Sequence, residues 1–377
     1  MKHYLVGGAV RDRLLDLPVR DRDWVVTGAT EAEMEALGFI RQAVDFPVFL
    51  HPETGEEYAL ARCETKTAPG YRGFSVDCGP QVTLEQDLRR RDLTINAMAE
   101  DEEGRLIDPF DGRKDLEQGV LRHVTPAFAE DPVRLLRTAR FAARLGRWGF
   151  RVSHGTQTLL REMVADGELA ALTGERIWRE MRAALGEDQP WRFFQVLKRC
   201  GALAQLLPAL DRAFPPADAH APAEEGETAA ALRRATALTD DPAIRFTVLF
   251  CSATMDADGI RSSLQKLKVE KRFAELLLLA LQWIPRYPTG RDAGAILDLF
   301  TGCRAMQDPS RLDLLMTVAE ALLPATKESR GLLRRALSLA LAVTPEAFSA
   351  RGLRGPALGS ALRAARTEAI GRLIDEG

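Results

Sequence analysis

The chain has 377 residues, too many for one ordinary core, so two or more packed units are expected. Hydrophobic residues make up 46% and charged residues 28%, the balance of a soluble globular protein, and a formal net charge of −3 excludes a global positive field that would advertise nucleic acid, leaving only a local basic surface. Five cysteines (Cys63, Cys78, Cys200, Cys251 and Cys303) with no C-x-x-C pair exclude a zinc site or disulfide framework and predict reduced thiols in a cytoplasmic protein. Met1-Lys2-His3 runs straight into a strand, which predicts no signal peptide. Tyr4-Leu5-Val6 and Trp24-Val25-Val26 read as strands, and residues 30–37 as a helix with Thr30 and Glu33 at capping-box spacing. Residues 46–50 and 57–61 read as further strands joined by the turn-rich His51-Pro52-Glu53-Thr54-Gly55. The polar stretch 64–74, with Pro69, Gly70 and Gly73, predicts a mobile loop, and a helix is expected from Asp92 to Glu100. Beyond residue 126 the strand signals almost vanish. Helical periods cover 134–145, 156–165, 174–185, 191–200, 229–238, 260–267, 272–283 and 312–322, with a Pro/Ala/Glu-rich linker at 214–227. The longest apolar run, 273–284, holds Glu275 and Gln282 and is too short to span a bilayer, so no membrane partner is expected. The predicted fold class is α+β, a small α/β head with a mixed β-sheet followed by an all-α region.

Four motifs carry chemistry. Asp21 and Asp23 stand two apart beside a strand, and side chains two apart on a strand share a face. Two carboxylates on one face suit a divalent metal and two-metal phosphoryl transfer, and they equally describe a charged strand edge. Gly7-Gly8 precedes a helix that carries Arg11 in its first turn. Glycine lets a backbone approach a phosphate, while an ordinary strand-to-helix turn with Arg11 in solvent fits the same residues. No Gly-Lys-Ser/Thr follows, so this is not a Walker A loop. Arg89-Arg90-Arg91 would contact a triphosphate or form a solvated charge run. In Glu130-Asp131-Pro132-Val133-Arg134, Asp131 and Arg134 are helical neighbours at i and i+3. A carboxylate accepts from the exocyclic amino group of cytosine or adenine, and a guanidinium donates to the ring nitrogen or carbonyl, so this pair can read a base without a template. Asp131 ahead of Pro132 is also an ordinary helix N-cap. Arg137, Arg140 and Arg144 make a second basic stripe.

In this order the motifs resemble those of the class II bacterial tRNA nucleotidyltransferases, the CCA-adding enzymes of the poly(A) polymerase/CCA superfamily. The resemblance runs from Met1 to about Leu210 through Gly-Gly-Ala-Val-Arg-Asp, Asp-Arg-Asp-Trp, Tyr58-Ala59-Leu60-Ala61-Arg62, Arg-Arg-Asp-Leu-Thr-Ile-Asn-Ala, Glu-Asp-Pro-Val-Arg and Glu175-Arg176-Ile177-Trp178-Arg179-Glu180. It implies a catalytic nucleotidyltransferase head over 1–125, a base-recognising neck over 126–190, a body over 191–290 and a tRNA-binding tail over 291–377. Carried over by motif, Asp21 and Asp23 would be the catalytic carboxylates and bind Mg²⁺. Gly8, Arg11, Arg91, Asp131, Arg134, Arg137 and Arg140 would bind the nucleotide. A third carboxylate, Glu57 or Glu64, would assist. The implied reaction is attack of the tRNA 3′-hydroxyl on the α-phosphate of CTP or ATP, with the tRNA acceptor arm as partner. The 64–74 stretch matches the family's flexible loop, linked to the switch from C to A addition.

Many members of the family carry a phosphohydrolase domain marked by a His-Asp pair. The matching stretch here, Arg245 to Thr254, holds no such pair, which predicts a degenerate body that serves as a packing scaffold. From residue 326 to the end, nine Lys/Arg stand against five Asp/Glu, and Arg354 and Arg363 flank the start of a helix. They fit a phosphate clamp or a solvated helix face. The alternatives within the superfamily are a poly(A) polymerase and an A-adding enzyme, and outside it a catalytically silent tRNA-binding protein.

Overall fold

The computed structural model describes residues 1–19, 21–42, 47–66, 74–215, 226–253, 257–288 and 292–376. The chain packs as two units, the first holding Met1–Pro208 and the second Ala209–Pro215 with the described residues from 226 onward. The first unit opens with β1 (Lys2–Val6), β2 (Asp23–Thr27), β3 (Ile40–Arg41), β4 (Val48–Leu50), β5 (Glu57–Leu60), β6 (Cys63–Lys66), β7 (Phe74–Asp77), β8 (Ala99–Glu100) and β9 (Leu106–Ile107). Seven of these form one sheet in the order β3-β4-β5-β2-β1-β8-β9, mixed because β2 runs parallel to β5 while its other neighbours are antiparallel. The remaining two, β6 and β7, pair only with each other as an antiparallel hairpin. They take up the ends of the stretch 64–74 expected as a loop, a correction at residues 64–66 and 74, while residues 67–73 lie outside the described residues.

Strand alternation builds two cores. Val25 points to one face with Val6, Leu88 and Ala97, and Val26 to the other with Met34, Phe49 and Leu60. The second face is covered by α2 (Glu31–Ala36), opened by the expected capping box: the Glu33 N–H donates to Thr30 Oγ1, and the Thr30 N–H to Glu33 Oε2. Strands β1 and β2 pair from Lys2↔Thr27 to Val6↔Asp23 and no further. At Gly7 the backbone takes φ +68°, a left-handed value that favours glycine, and turns into α1 (Gly8–Leu14). With no β1 residue left to pair, β2 begins at Asp23, and Asp21 lies ahead of the strand instead of sharing it.

The helix expected from Asp92 to Glu100 is absent, a correction to the sequence reading. Instead α3 (Leu84–Arg89) ends ahead of it, and a short 3₁₀ turn, Thr94–Asn96, leads into β8. The Asn96 and Ala97 N–H groups donate to carbonyls three residues back, and Ala99 and Glu100 pair with Val6 and Leu5 of β1, where a helix would bond within itself. The Leu93 N–H donates to the Asp92 carboxylate, the Thr94 N–H donates to the Arg122 carbonyl, and Leu93 bridges His123.

Next come α4 (Gly112–Glu117), α5 (Val133–Leu145), α6 (His154–Ala165), α7 (Gly174–Leu185) and α8 (Trp191–Cys200). Helix α5 buries Leu135, Leu136, Ala139, Ala142 and Ala143 and packs against α7 and α8. Its arginines 134, 137, 140 and 144 recur every three or four residues and so share the opposite stripe.

The second unit is helical. The stretch without a His-Asp pair forms the helix Pro242–Ser252, where Arg245 is buried and donates to the Thr239 carbonyl and to Asp240. The basic C-terminal segment forms the helices Ser329–Ala342, Glu346–Ser349 and Gly355–Glu376, with Arg363 on the last paired to Asp298 at 2.7 Å. Of the expected linker, residues 216–225 lie outside the described residues.

A methyl group on Gly112 would stand 2.3 Å from the Thr94 carbonyl oxygen and 2.8 Å from Met98 Cγ. Gly112→Ala therefore presses on the turn that carries Asn96, and is expected to cost about 1–3 kcal/mol. The check is a lowered urea midpoint at unchanged slope; an unchanged midpoint would contradict this packing.

Candidate functional site

The turn at Gly7, the mouth of β2, the segment 90–96, and helices α5 and α7 enclose a cleft of about 520 Å³ inside the first unit. Ten arginines and three aspartates line it, so its field is positive and suits a polyanion. From the sequence-derived set, Gly8, Arg11, Asp23 and Arg91 line the cleft on the sheet side. Asp131, Arg134, Arg137 and Arg140 line it from α5 and the turn before it. Asp21 is not part of the lining and stands exposed just ahead of β2.

A chain of buried polar groups ties the two walls together. Arg11 is 2% exposed, not in solvent, with Nε and one terminal nitrogen on Asp12 Oδ1 at 2.8 and 2.7 Å. Its other terminal nitrogen donates to Asn96 Oδ1 at 2.5 Å. Asn96 Nδ2 donates to Asp92 Oδ1 at 3.0 Å, and Arg137 Nε to Asp92 Oδ2 at 2.6 Å. On the far side Arg144 reaches Asp12 Oδ2 at 2.8 Å. Burial alone would raise the Asp92 carboxyl, but Arg137, Asn96 and the Leu93 N–H hold it well below the usual carboxylate range. Asp92 in turn pushes Arg137 up.

The base-reading candidates lie at the α5 end. Asp131 Oδ1 accepts from the Val133 N–H at 3.1 Å, so it caps the first turn of α5, and it stands 3.7 Å from Arg176. Arg134 donates to the Arg90 carbonyl at 2.6 Å and the Ala127 carbonyl at 3.2 Å. Arg140 Nε donates to the buried Glu180 at 2.8 Å, and its guanidinium lies 4.8 Å from the Phe141 ring centre.

At the β2 end the Asp23 carboxyl is raised above the usual range, chiefly by lost hydration and further by Asp21, against the pull of Arg91. Two mutually repelling carboxylates are what a divalent cation relieves, and an all-oxygen donor pair suits a hard cation. Among the described residues no three His, Cys, Asp or Glu side chains gather as a closed metal cage. Glu57 pairs in register with Asp23 across β2 and β5, and the side chain of Glu64 lies outside the described residues.

Sequence reasoning named Arg90 only within the run Arg89-Arg90-Arg91 and Arg144 only within the basic stripe, and assigned no role to Arg62, Arg176 or Arg179; all five line the same cleft. The signal that finds them is spacing: Arg176 and Arg179 are i and i+3 on α7, facing the arginine stripe of α5.

A carboxylate presented at the start of a central strand to an arginine-walled cleft is the architecture of a nucleotidyltransferase. Residues 3–122 match the Poly A polymerase head domain model, and 149–214 the model described as a probable RNA and SrmB-binding site of polymerase A. The chain is 46% identical to a Multifunctional CCA protein of Thioalkalivibrio sulfidiphilus, over 100% of this chain and 99% of that protein. It is 45% identical to a CCA-adding enzyme of Pseudomonas putida, over 98% of both. Among solved structures it is similar to the Bacillus stearothermophilus CCA-adding enzyme in complex with CTP, with TM-score 0.69, 25% identity, and 98% and 89% of the two chains covered. The chain belongs to the CCA-adding enzyme family, the tRNA nucleotidyltransferases, a family that uses divalent metal ions.

Because the folded-state Asp92 carboxyl titrates below its unfolded value of about 3.9, the stability it contributes is complete above that pH and is lost as pH falls. Asp92→Asn is expected to destabilise by about 2 kcal/mol at pH 7, less than a fully buried pair because Arg137 reaches solvent. The gap between the two proteins should shrink below about pH 4. Unfolding midpoints at pH 7, 5 and 3 check this; a gap that widens toward pH 3 would contradict it.

Proposed function

We propose that this protein adds and repairs the CCA sequence at the 3′ end of tRNA, using CTP and ATP without a nucleic acid template. The observation that carries the reading is that Asp23, the triphosphate-binding candidates Arg11 and Arg91, and the base-reading candidates Asp131 and Arg134 all line one cleft. The tRNA 3′-oxygen would bond to the α-phosphorus of the nucleotide while the bond to the β-phosphate oxygen breaks and pyrophosphate leaves.

Arg91, Arg137 and Arg140 would grip the triphosphate, and Gly8 and Arg11 would shape the wall against which it lies. Asp131 would accept from the exocyclic amino group that cytosine and adenine share, and Arg134 would donate to the adjacent ring nitrogen or carbonyl. Uracil presents a carbonyl where cytosine presents that amino group, so a carboxylate there rejects it. Asp21 and Asp23 would hold Mg²⁺, which when bound lowers the pKa of the attacking hydroxyl and offsets charge on the phosphates. Much of the acceleration then comes from positioning, with the arginines fixed before the substrate arrives.

The head, neck, body and tail divisions at 1–125, 126–190, 191–290 and 291–377 belong to the same reading. In it body and tail hold the acceptor arm of tRNA, and Arg354 and Arg363 of the tail are candidates for phosphate contacts. No described helix is long and apolar enough to cross a membrane, and the reading places the enzyme in the cytoplasm, where its tRNA and nucleotides are.

The test is incorporation of labelled CTP and ATP, separately and together, into tRNA shortened by three nucleotides. The expected product carries C, C and A, and Asp23→Asn should lose about 10³-fold or more in rate. A long A tail, A addition alone, or unchanged incorporation by the Asp23 variant would contradict the reading.

A further inference from the structure

Asp87, on α3, is fully buried and does not itself line the cleft. Its Oδ2 accepts from Arg91 Nε at 3.3 Å and from a terminal nitrogen of Arg91 at 3.2 Å. Its Oδ1 accepts from Arg90 Nε at 3.2 Å, from a terminal Arg90 nitrogen at 3.0 Å, and from the Arg62 backbone N–H at 3.3 Å. One carboxylate thus holds two guanidinium groups and the backbone immediately ahead of the β6–β7 hairpin. With two Arg91 nitrogens engaged on Asp87, the third is the one that faces Gly7, so close that a Cβ there would stand 2.8 Å from it. The turn that fixes Arg90 also aims its carbonyl, the acceptor for Arg134 at 2.6 Å. Burial would by itself raise the Asp87 carboxyl, but Arg90 and Arg91 keep it below the usual range and therefore charged.

We propose that Asp87 is a positioning residue of the nucleotide site, whose single buried carboxylate sets Arg91 against Gly7 and, through the Arg90 backbone, sets Arg134 on α5. Grip on the phosphates and choice of base then depend on one group outside the cleft. The proposal rests on the nucleotidyl-transfer reading above. Removing the charge frees the Arg91 guanidinium to swing and leaves two half-buried cations with no shared anion.

The variant is Asp87→Asn, which keeps the shape and an acceptor for the Arg62 N–H. In the full chain it is expected to weaken CTP binding about tenfold and to raise UTP misincorporation, while the KM for tRNA stays within about twofold. A merely structural defect would instead reduce turnover with every substrate in step with the folded fraction. In an Arg91→Ala background the effect of Asp87→Asn on CTP affinity should shrink to the part carried through Arg90 and Arg134; fully additive losses would overturn the proposal. If Asp87→Asn does not fold, Arg91→Lys, which cannot hold Asp87 with two nitrogens, should show the same nucleotide-specific loss. Unchanged CTP affinity in the folded variant overturns the role of Asp87. Equilibrium binding of CTP separates this from the functional reading: wild-type protein that binds CTP but adds nothing to tRNA sinks that reading, while wild-type turnover beside an unaffected Asp87 variant sinks only this one.

Discussion

The structure depends on buried carboxylates that hold arginines in place. Asp12 joins Arg11 to Arg144, and Asp92 joins Arg137 to the same chain through Asn96. Arg144 and Asp12 are 132 positions apart, and Arg137 and Asp92 are 45 apart, so these bonds form only when the sheet and α5 come together. Guanidinium groups crowded around one cavity repel one another, and without internal anions the walls would spread or refuse to bury. Each paired arginine also has fewer rotamers open to it. The cleft is therefore positive and rigid before any ligand arrives, which is the state that stabilises developing negative charge without reorganisation.

The cleft is also asymmetric. Its sheet end carries Asp23, whose carboxyl is raised above the ordinary range, while Asp92, deeper in, is held low by its arginine. The low one is structural, locked to Arg137 at 2.6 Å. The raised one stands beside a second carboxylate, Asp21, and in the proposed reading the two hold the cation. At the α5 end Asp131 does two things at once: one oxygen caps the helix, and the carboxylate remains in the cleft beside Arg176. The capping and base-reading uses of that residue, which the sequence leaves as alternatives, are compatible in space.

The helical half of the first unit was legible because its signal is periodic. Gly174–Leu185 and Trp191–Cys200 start and stop where the pattern does, and α5 differs by one residue from its expected start. The strands β1, β2 and β5 were legible from short apolar runs rich in aromatic and β-branched residues. The segment after Asp92 was not, because its helix-like composition is overridden by sheet pairing of Ala99 and Glu100 with β1. The two-residue strands β3, β8 and β9 carry no period at all. In the cleft, the motif residues were visible as motifs. Their supporting partners were not, since Asp12, Asp87, Asn96 and Glu180 matter only through bonds to residues distant in sequence or through burial that no local pattern records.

The most direct measurement is a structure of the protein with CTP and a divalent cation bound. The account predicts the triphosphate against Arg91 and Arg137, the cation on Asp21 and Asp23, and the cytosine edge facing Asp131 and Arg134. A nucleotide bound outside the cleft between the sheet and α5, or one lying in it with its base turned away from Asp131, would contradict it.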